Sequence, residues 1–356
     1  MFYCKASDRL NPRKSRAFGE ALLSIPAPNW KPPFTVTRAS HVVLRVKDLA
    51  ASRDFYEQVL GLIVTAQEGE FLYLRGIEEA CHHSLVLKAS STSPCCERIG
   101  LRLQTDEDLD LAFTWMRAQG LSPVFVDIPH QGRSLHVSDP VGVPLEFCAS
   151  MPAQPRQITN FIAHRGGCAQ RIDHYQILTP DVRKALGFYT SMGFRLSEYI
   201  GTSEADVRGA FLQRKGNPHD IVFFGGDGPR LHHFAYFAPE AYQLLRACDV
   251  AGQLGFGRDV ERGPGRHGPG HAMYVYFRDP DGHRVELFNT HYQIMDLENE
   301  PQRWDPGDPN ISFPWGLPAQ ERWFHEAMHF ADTPVTQAIP KSQPVTLEAF
   351  LAKIKQ

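Results

Sequence analysis

His41-Val-Val-Leu-Arg-Val-Lys-Asp48, followed by Ser52-Arg-Asp-Phe55-Tyr56 and Leu60-Gly61, returns as His174-Tyr-Gln-Ile-Leu-Thr-Pro-Asp181, followed by Leu186-Gly-Phe188-Tyr189 and Met192-Gly193. His to Asp spans seven residues in both copies and Asp to Tyr spans eight. Each copy also closes alike: Asp139-Pro-Val-Gly142-Val-Pro-Leu-Glu146-Phe matches Asp279-Pro-Asp-Gly282-His-Arg-Val-Glu286-Leu, with Asp and Glu seven residues apart. Self-similarity at this scale means a duplicated architecture. Within a copy the pattern reads as strand, helix, then strands. Asp48 and Asp181 are N-cap candidates, Phe55 with Leu60 and Phe188 with Met192 form buried helical stripes, and the Asp-Pro-x-Gly turns join hairpin strands.

Working outward, the copies occupy about residues 38–150 and 171–290, after an N-terminal extension over 1–37. Residues 151–170 mix Pro, Gln, Asn and Gly as a linker does. The stretch 291–356 reads as a tail, with a helix predicted from Ala319 to Phe330 anchored by Trp323, Phe324 and Phe330; such an aromatic tail is usually packing and less often an active-site lid.

A chain of 356 residues is long enough for two cores. A net charge of −3 and no Lys/Arg run exclude the electrostatic footprint of a nucleic-acid binder. No apolar stretch approaches the ~20 residues needed to span a bilayer, and Met1 to Trp30 lacks a signal-peptide apolar segment, so a cytoplasmic protein is expected. Seven cysteines without zinc-ligand spacing suit free thiols in a reducing compartment.

Alternation puts Glu286 on one strand face with Arg284 and Phe288; a carboxylate there faces solvent or, inside a barrel, needs a cation. In Leu231-His-His233-Phe-Ala-Tyr236 the two histidines are expected on opposite faces, and the His-apolar-x-apolar pattern that follows His41 and His174 selects His233. Two imidazoles and a carboxylate make a facial triad with open positions on iron(II). Each histidine alone is more often a satisfied core or surface residue; their joint placement in a repeat is the signal.

With Arg262-Gly-Pro-Gly-Arg266-His267-Gly, Tyr274-Val-Tyr276-Phe-Arg-Asp279-Pro-Asp-Gly and Glu286 added, residues 38–295 resemble the type I extradiol ring-cleavage dioxygenases of the vicinal oxygen chelate superfamily, nearest the catechol 2,3- and homoprotocatechuate 2,3-dioxygenases. The resemblance implies an α+β fold of tandem βαβββ modules forming two barrel-like domains, the N-terminal one without metal. It implies Fe(II), with Mn(II) as the alternative, on His174, His233 and Glu286. It assigns acid-base chemistry to His219 in Asn217-Pro-His-Asp220, with a pKa near neutrality, and hydrogen bonds to substrate oxygens to His267 and Tyr276. Arg262, Arg266 and Gln176 are its substrate-binding candidates. The implied partners are a catecholic diol and O2, giving a ring-opened semialdehyde, and further copies of the chain as a dimer or tetramer.

Two departures stand out. The first copy keeps His41 and Glu146 but has no histidine near Arg98, and two ligands seldom hold a divalent ion. The tail stretch Asn310-Ile-Ser-Phe313 is uncharged where homoprotocatechuate enzymes bring a basic pair, which leaves substituted catechols other than an arylacetate open. The competing classes on this fold are a glyoxalase-like isomerase or lyase, which usually has a fourth protein ligand, and a metal-free small-molecule-binding protein.

Overall fold

The computed structural model describes residues 24–308, 311, 314–339 and 344–354. Residues 1–23 of the expected extension lie outside the described residues, as do Asn310, Ser312 and Phe313 of the tail. Four βαβββ modules follow one another. The first is β1 (Val36–Val46), α1 (Leu49–Asp54, running on as a π-helical stretch Phe55–Leu60), β2 (Ile63–Glu68), β3 (Phe71–Arg75) and β4 (Leu85–Ala89). The second is β5 (Cys95–Leu103), α2 (Asp106–Ala118), β6 (Val124–Ile128), β7 (Gly132–Ser138) and β8 (Pro144–Cys148). The third is β9 (Arg171–Thr179), α3 (Val182–Ser191), β10 (Arg195–Gly201), β11 (Val207–Gln213) and β12 (Ile221–Gly225). The fourth is β13 (Arg230–Phe237), α4 (Ala241–Gln253), β14 (Val260–Arg266), β15 (Met273–Arg278) and β16 (Arg284–Asn289). Each copy read from residue spacing thus contains two modules, because α2 and α4 carry no echo of the Asp-to-Tyr spacing that marks α1 and α3.

The caps are those expected. Asp48 accepts from the Ala50 and Ala51 amides at 2.8 and 3.1 Å, and Asp181 from the Lys184 amide at 2.9 Å. Modules one and two share one sheet, β2-β3-β4-β1-β5-β8-β7-β6, and modules four and three the other, β14-β15-β16-β13-β9-β12-β11-β10. In each, the two first strands pair antiparallel at the centre, β1 with β5 and β9 with β13. The expected barrels are therefore open, with β2 and β6 as the edges of the first sheet.

One buried apolar cluster runs through both halves. Helices meet across the duplication: Phe55 beside α1 packs on Phe256 after α4, ring centroids 5.4 Å apart, and Trp115 of α2 packs on Phe188 of α3 at 5.5 Å. The repeated Tyr and Asp are latches between the halves. Tyr56 donates to Asp279 Oδ2 at 2.9 Å, and Tyr189 donates to Asp139 Oδ2 at 3.0 Å. All four side chains are buried, so losing a hydroxyl leaves a carboxylate short of a donor. Tyr56→Phe is expected to cost about 1–2 kcal/mol in urea unfolding, with Tyr189→Phe similar and the pair additive, because the two latches share no partner. A cost within a few tenths of a kcal/mol for both would remove the latch role.

The tail differs from its expected single helix. Of the helix expected over Ala319 to Phe330, Glu321–His325 alone is helical (α5), after a short strand β17 (Gln302–Trp304) that lies beside β10. Met328–His329 then forms β18 on the free start of β13, with Arg230↔His329 and Leu231↔Met328. The helix stops there because its outgoing carbonyls are taken by the sheet: His232 Nε2 donates to the Trp323 carbonyl at 2.9 Å and Arg284 to that of Glu326 at 2.9 Å. The chain returns through Thr336, whose amide bonds Gly228, and Ala338, whose amide bonds Asp227, before α6 (Leu347–Ile354).

Candidate metal centre

Three adjacent strands converge on one point. His174 on β9, His233 on β13 and Glu286 on β16 are each at most 4% exposed, and their ligand atoms lie within 4.8 Å of one another. The alternation read for β16 holds. Val285 and Leu287 enter the core, Glu286 points to the centre, and Arg284 on the same face pairs with Glu261 at 2.5 Å.

His174 Nε2 lies 3.1 Å and His233 Nε2 3.3 Å from the same oxygen, Glu286 Oε2. Which ring nitrogens carry protons follows from their other partners. His174 Nδ1 lies 2.9 Å from Asp173 Oδ2, and a carboxylate can only accept, so Nδ1 carries the hydrogen. Asp173 is ionised: burial opposes its charge, but Lys215, His174 and His291 hold it far below the ordinary carboxylate range. His232 uses its Nε2 hydrogen on the Trp323 carbonyl and is kept neutral by burial and Arg284, so its Nδ1 accepts from His233 Nδ1 at 2.8 Å. In the neutral tautomers both Nε2 lone pairs then face a carboxylate oxygen. Three lone pairs aimed at one point need a cation among them. A proton on His174, whose pKa is raised because the Asp173 and Glu286 bonds outweigh burial, meets that need in the bare protein. The donor set of two imidazoles and a carboxylate equally fits Fe(II) or Mn(II).

Adjacent histidines were expected on opposite faces, and this is corrected. The pairing of β13 with β9 steps from Leu231↔Ile177 to His233↔Gln176, a bulge that puts His232 and His233 on the same side. His232 is thus an orienting residue that strand alternation hides. Asp173 is another. Asp173→Asn would leave the fold intact but return the wrong group to His174 Nδ1. Metal affinity measured by chelator competition is expected to fall ~10–100-fold. Unchanged affinity would show that the carboxylate does not set the ring.

The remaining candidates fall around this point. His219, from the β11–β12 loop, packs edge-on to His174 with centroids 4.3 Å apart, and its Nδ1 is buried without a hydrogen-bond partner. Its pKa is not near neutrality. Burial first, then His174 and His291, pushes it well below the usual histidine value. Tyr276 is opposite Glu286 in the β15–β16 register, and its hydroxyl meets His267 Nε2 at 2.9 Å. Gln176 and Arg262 line the same cavity, the guanidinium of Arg262 lying 4.6 Å over Trp323 and 5.0 Å over Tyr274. Arg266 does not line it; strand pairing to Met273 turns its side chain to the His271 carbonyl at 3.0 Å.

His291 was not singled out from sequence, having no counterpart in the repeat. Its ring lies 4.8 Å from that of His219, its Nε2 is buried and unpartnered, and with His174 and His219 it forms a second convergent group. Gly270, at φ +67°, closes over both rings; a Cβ there would meet His291 Nε2 at 3.1 Å and His219 Cε1 at 3.3 Å. The cavity encloses about 740 Å³, and Ile339, Pro344 and Val345 of the tail form part of its rim.

The equivalent point of the first sheet is filled differently. Gly100 is opposite Glu146 as Ala235 is opposite Glu286, which puts Arg98 at the position of His233. Glu146 instead receives His41 Nε2 at 2.7 Å, His136 Nε2 at 2.5 Å and Gln131 at 2.5 Å. Burial opposes a charge on His41, but Cys148 and Glu146 outweigh it and raise its pKa to about 9. A protonated histidine thus balances that carboxylate.

Comparison with known proteins places these features in a lineage. The family model described as the glyoxalase/bleomycin resistance protein/dioxygenase superfamily matches residues 38–147 and 171–287. A manganese-dependent 2,3-dihydroxybiphenyl 1,2-dioxygenase of Geobacillus genomosp. 3 is 28% identical over 79% of this chain and 93% of its own length. A metapyrocatechase of Geobacillus stearothermophilus is 27% identical over 86% and 96%. A solved structure of a homoprotocatechuate 2,3-dioxygenase mutant from Brevibacterium fuscum superposes with a TM-score of 0.84 at 33% identity, covering 89% of this chain and 90% of that one.

Proposed function

The chain belongs to the glyoxalase/bleomycin resistance protein/dioxygenase superfamily, and on that premise we propose that it is an extradiol dioxygenase opening a catechol-type diol beside one hydroxyl, with both atoms of O2 retained in a ring-opened semialdehyde. The observation that carries this reading is the convergence of His174 Nε2, His233 Nε2 and Glu286 Oε2 at the floor of a cavity large enough for an aromatic ring.

His174, His233 and Glu286 would hold Fe(II) or Mn(II). When bound, the ion supplies positive charge that acidifies the diol and open positions where diol and oxygen meet. Everything else is done by the chain. His219 lines the cavity beside His174 as a neutral imidazole, where negative charge developing on diol or oxygen would raise its proton affinity and let it take up a proton and later return it. Tyr276 and His267, already hydrogen-bonded to each other, orient a substrate oxygen beside Glu286. Tyr276 stays protonated because burial and Glu286 raise its pKa well above the usual phenol value, so it acts as a donor. Phe211, Trp323 and Phe288 border the polar centre and exclude water from it. Among the described residues no helix is long and apolar enough to cross a membrane. A reducing cytoplasm suits both the free cysteines among the described residues and ferrous iron.

The test is anaerobic reconstitution with Fe(II) and separately with Mn(II), then addition of catechol while oxygen uptake and the yellow semialdehyde absorbance are followed. One oxygen consumed per ring with yellow product is expected. One bound metal per chain without oxygen uptake on any diol would point to an isomerase or lyase, and no metal binding at all to a binding protein.

A further inference from the structure

The cavity has two unlike sides. Arg230, Arg262, Tyr276 and the histidines occupy one. On the other, β10, β11 and β12 alternate so that Ile200, Phe211, Val222 and Phe224 share a face, and Ile311 of the tail joins them in one apolar cluster. The register explains the surface: Phe211 pairs with Val222, and Phe224 lies over Gly209, where a Cβ would be 2.9 Å from its ring. This wall begins at the reacting centre, since the Phe211 ring is 5.3 Å from that of His219, and it continues to Phe224 5.7 Å further.

A cavity of about 740 Å³ lies in the range that holds a drug-sized ligand, so a single six-membered ring leaves most of it unfilled. Three of the cavity's four guanidiniums are held by oxygen acceptors. Arg183 bonds the Glu204 and Ser24 carbonyls, Arg208 bonds Asp206, Arg230 bonds the Asp227 and His325 carbonyls, and Arg262 stacks on Trp323. None of them belongs to the apolar wall.

We propose that this wall seats an apolar alkyl or aryl substituent on the diol ring, so that the preferred substrate is an apolar-substituted catechol and one bearing a carboxylate is disfavoured. This rests on the ring-cleavage reading and goes beyond it in naming the substituent. Ile311 and Phe224 are its specificity-determining residues. Burying a group the size of an apolar side chain is worth roughly 10–100-fold in kcat/KM over unsubstituted catechol. A carboxylate seated on this wall, which is built of apolar side chains, loses affinity instead.

The experiment compares kcat/KM by oxygen uptake for catechol, 3-methylcatechol, 2,3-dihydroxybiphenyl and 3,4-dihydroxyphenylacetate on the Fe(II)-reconstituted full chain. The methyl or phenyl derivative is expected to exceed catechol by about 10-fold or more, with the carboxylate below catechol. Phe224→Ala should lower the substituted-to-unsubstituted ratio about 10-fold, and Ile311→Arg should raise the carboxylate's ratio to catechol by a comparable factor. A flat profile, a preference for the carboxylate, or variants that change all substrates equally overturns the inference while leaving ring cleavage in place. Absence of turnover with every diol overturns ring cleavage and this inference together.

Discussion

Glu286→Ala should yield a folded chain that retains no iron. Binding free energies of about 10–16 kcal/mol for four-ligand metal sites correspond to roughly 2.5–4 kcal/mol per ligand, so loss of one of three protein ligands is expected to weaken affinity by ~10²–10³. Turnover should disappear with the metal. The fold should survive, because Glu286 is bound within the described residues by the metal-site histidines and the core face of β16 is carried by Val285 and Leu287. Removing the carboxylate leaves no anion at the centre for the two imidazoles to face, and Asp173 still partners His174 Nδ1. Iron content after dialysis, read beside circular dichroism, checks this. Full iron occupancy in Glu286→Ala would move the metal to the neighbouring group of His174, His219 and His291.

The triad was legible because a duplicated chain supplies its own alignment: His41 marks His174, and Glu146 marks Glu286. The same spacing gave the caps, the helical stripes and the hairpin turns. What it withheld has physical reasons. The second and fourth modules keep the topology of the first and third without their Asp-to-Tyr spacing, so half of the units were invisible to a search for identity. The repeated Tyr and Asp looked like features within a copy, yet Tyr56 reaches Asp279 and Tyr189 reaches Asp139, since pairing across a duplication is a property of docking and not of local sequence. His232 was assigned to the far face because a one-residue bulge shifts facing without leaving a signal in residue type. Asp173, directly before His174, could have been found by asking what holds the other nitrogen of a ligand histidine. The tail helix was overextended because β13 offers an open edge that an apolar pattern around Met328 and Phe330 satisfies as a strand. The neutral-pH expectation for His219 failed because burial among other imidazoles penalises a second positive charge.

His219→Ala should do the opposite of Glu286→Ala: keep the metal and lose the chemistry. Proton transfer by a placed side chain typically contributes 10²–10⁴-fold, so kcat is expected to fall by roughly that factor. KM should change less, because the apolar wall and the Tyr276–His267 pair remain. The assignment depends on a ring that lines the cavity beside His174 and is kept neutral by its surroundings, so substrate or oxygen is expected to meet it there. His219→Asn separates proton transfer from hydrogen bonding: it can donate to a developing charge but cannot carry a proton, and it should recover part of the lost rate without restoring it. His291→Ala is the control for mere crowding, since it empties the adjacent ring position while His219 stays. If His219→Ala turned over normally, the proton would have to travel through Tyr276 and His267. If it lost its iron while Glu286→Ala kept it, the metal would sit on the three histidines. The two variants together therefore distinguish the metal's seat from the proton's path, which neither does alone.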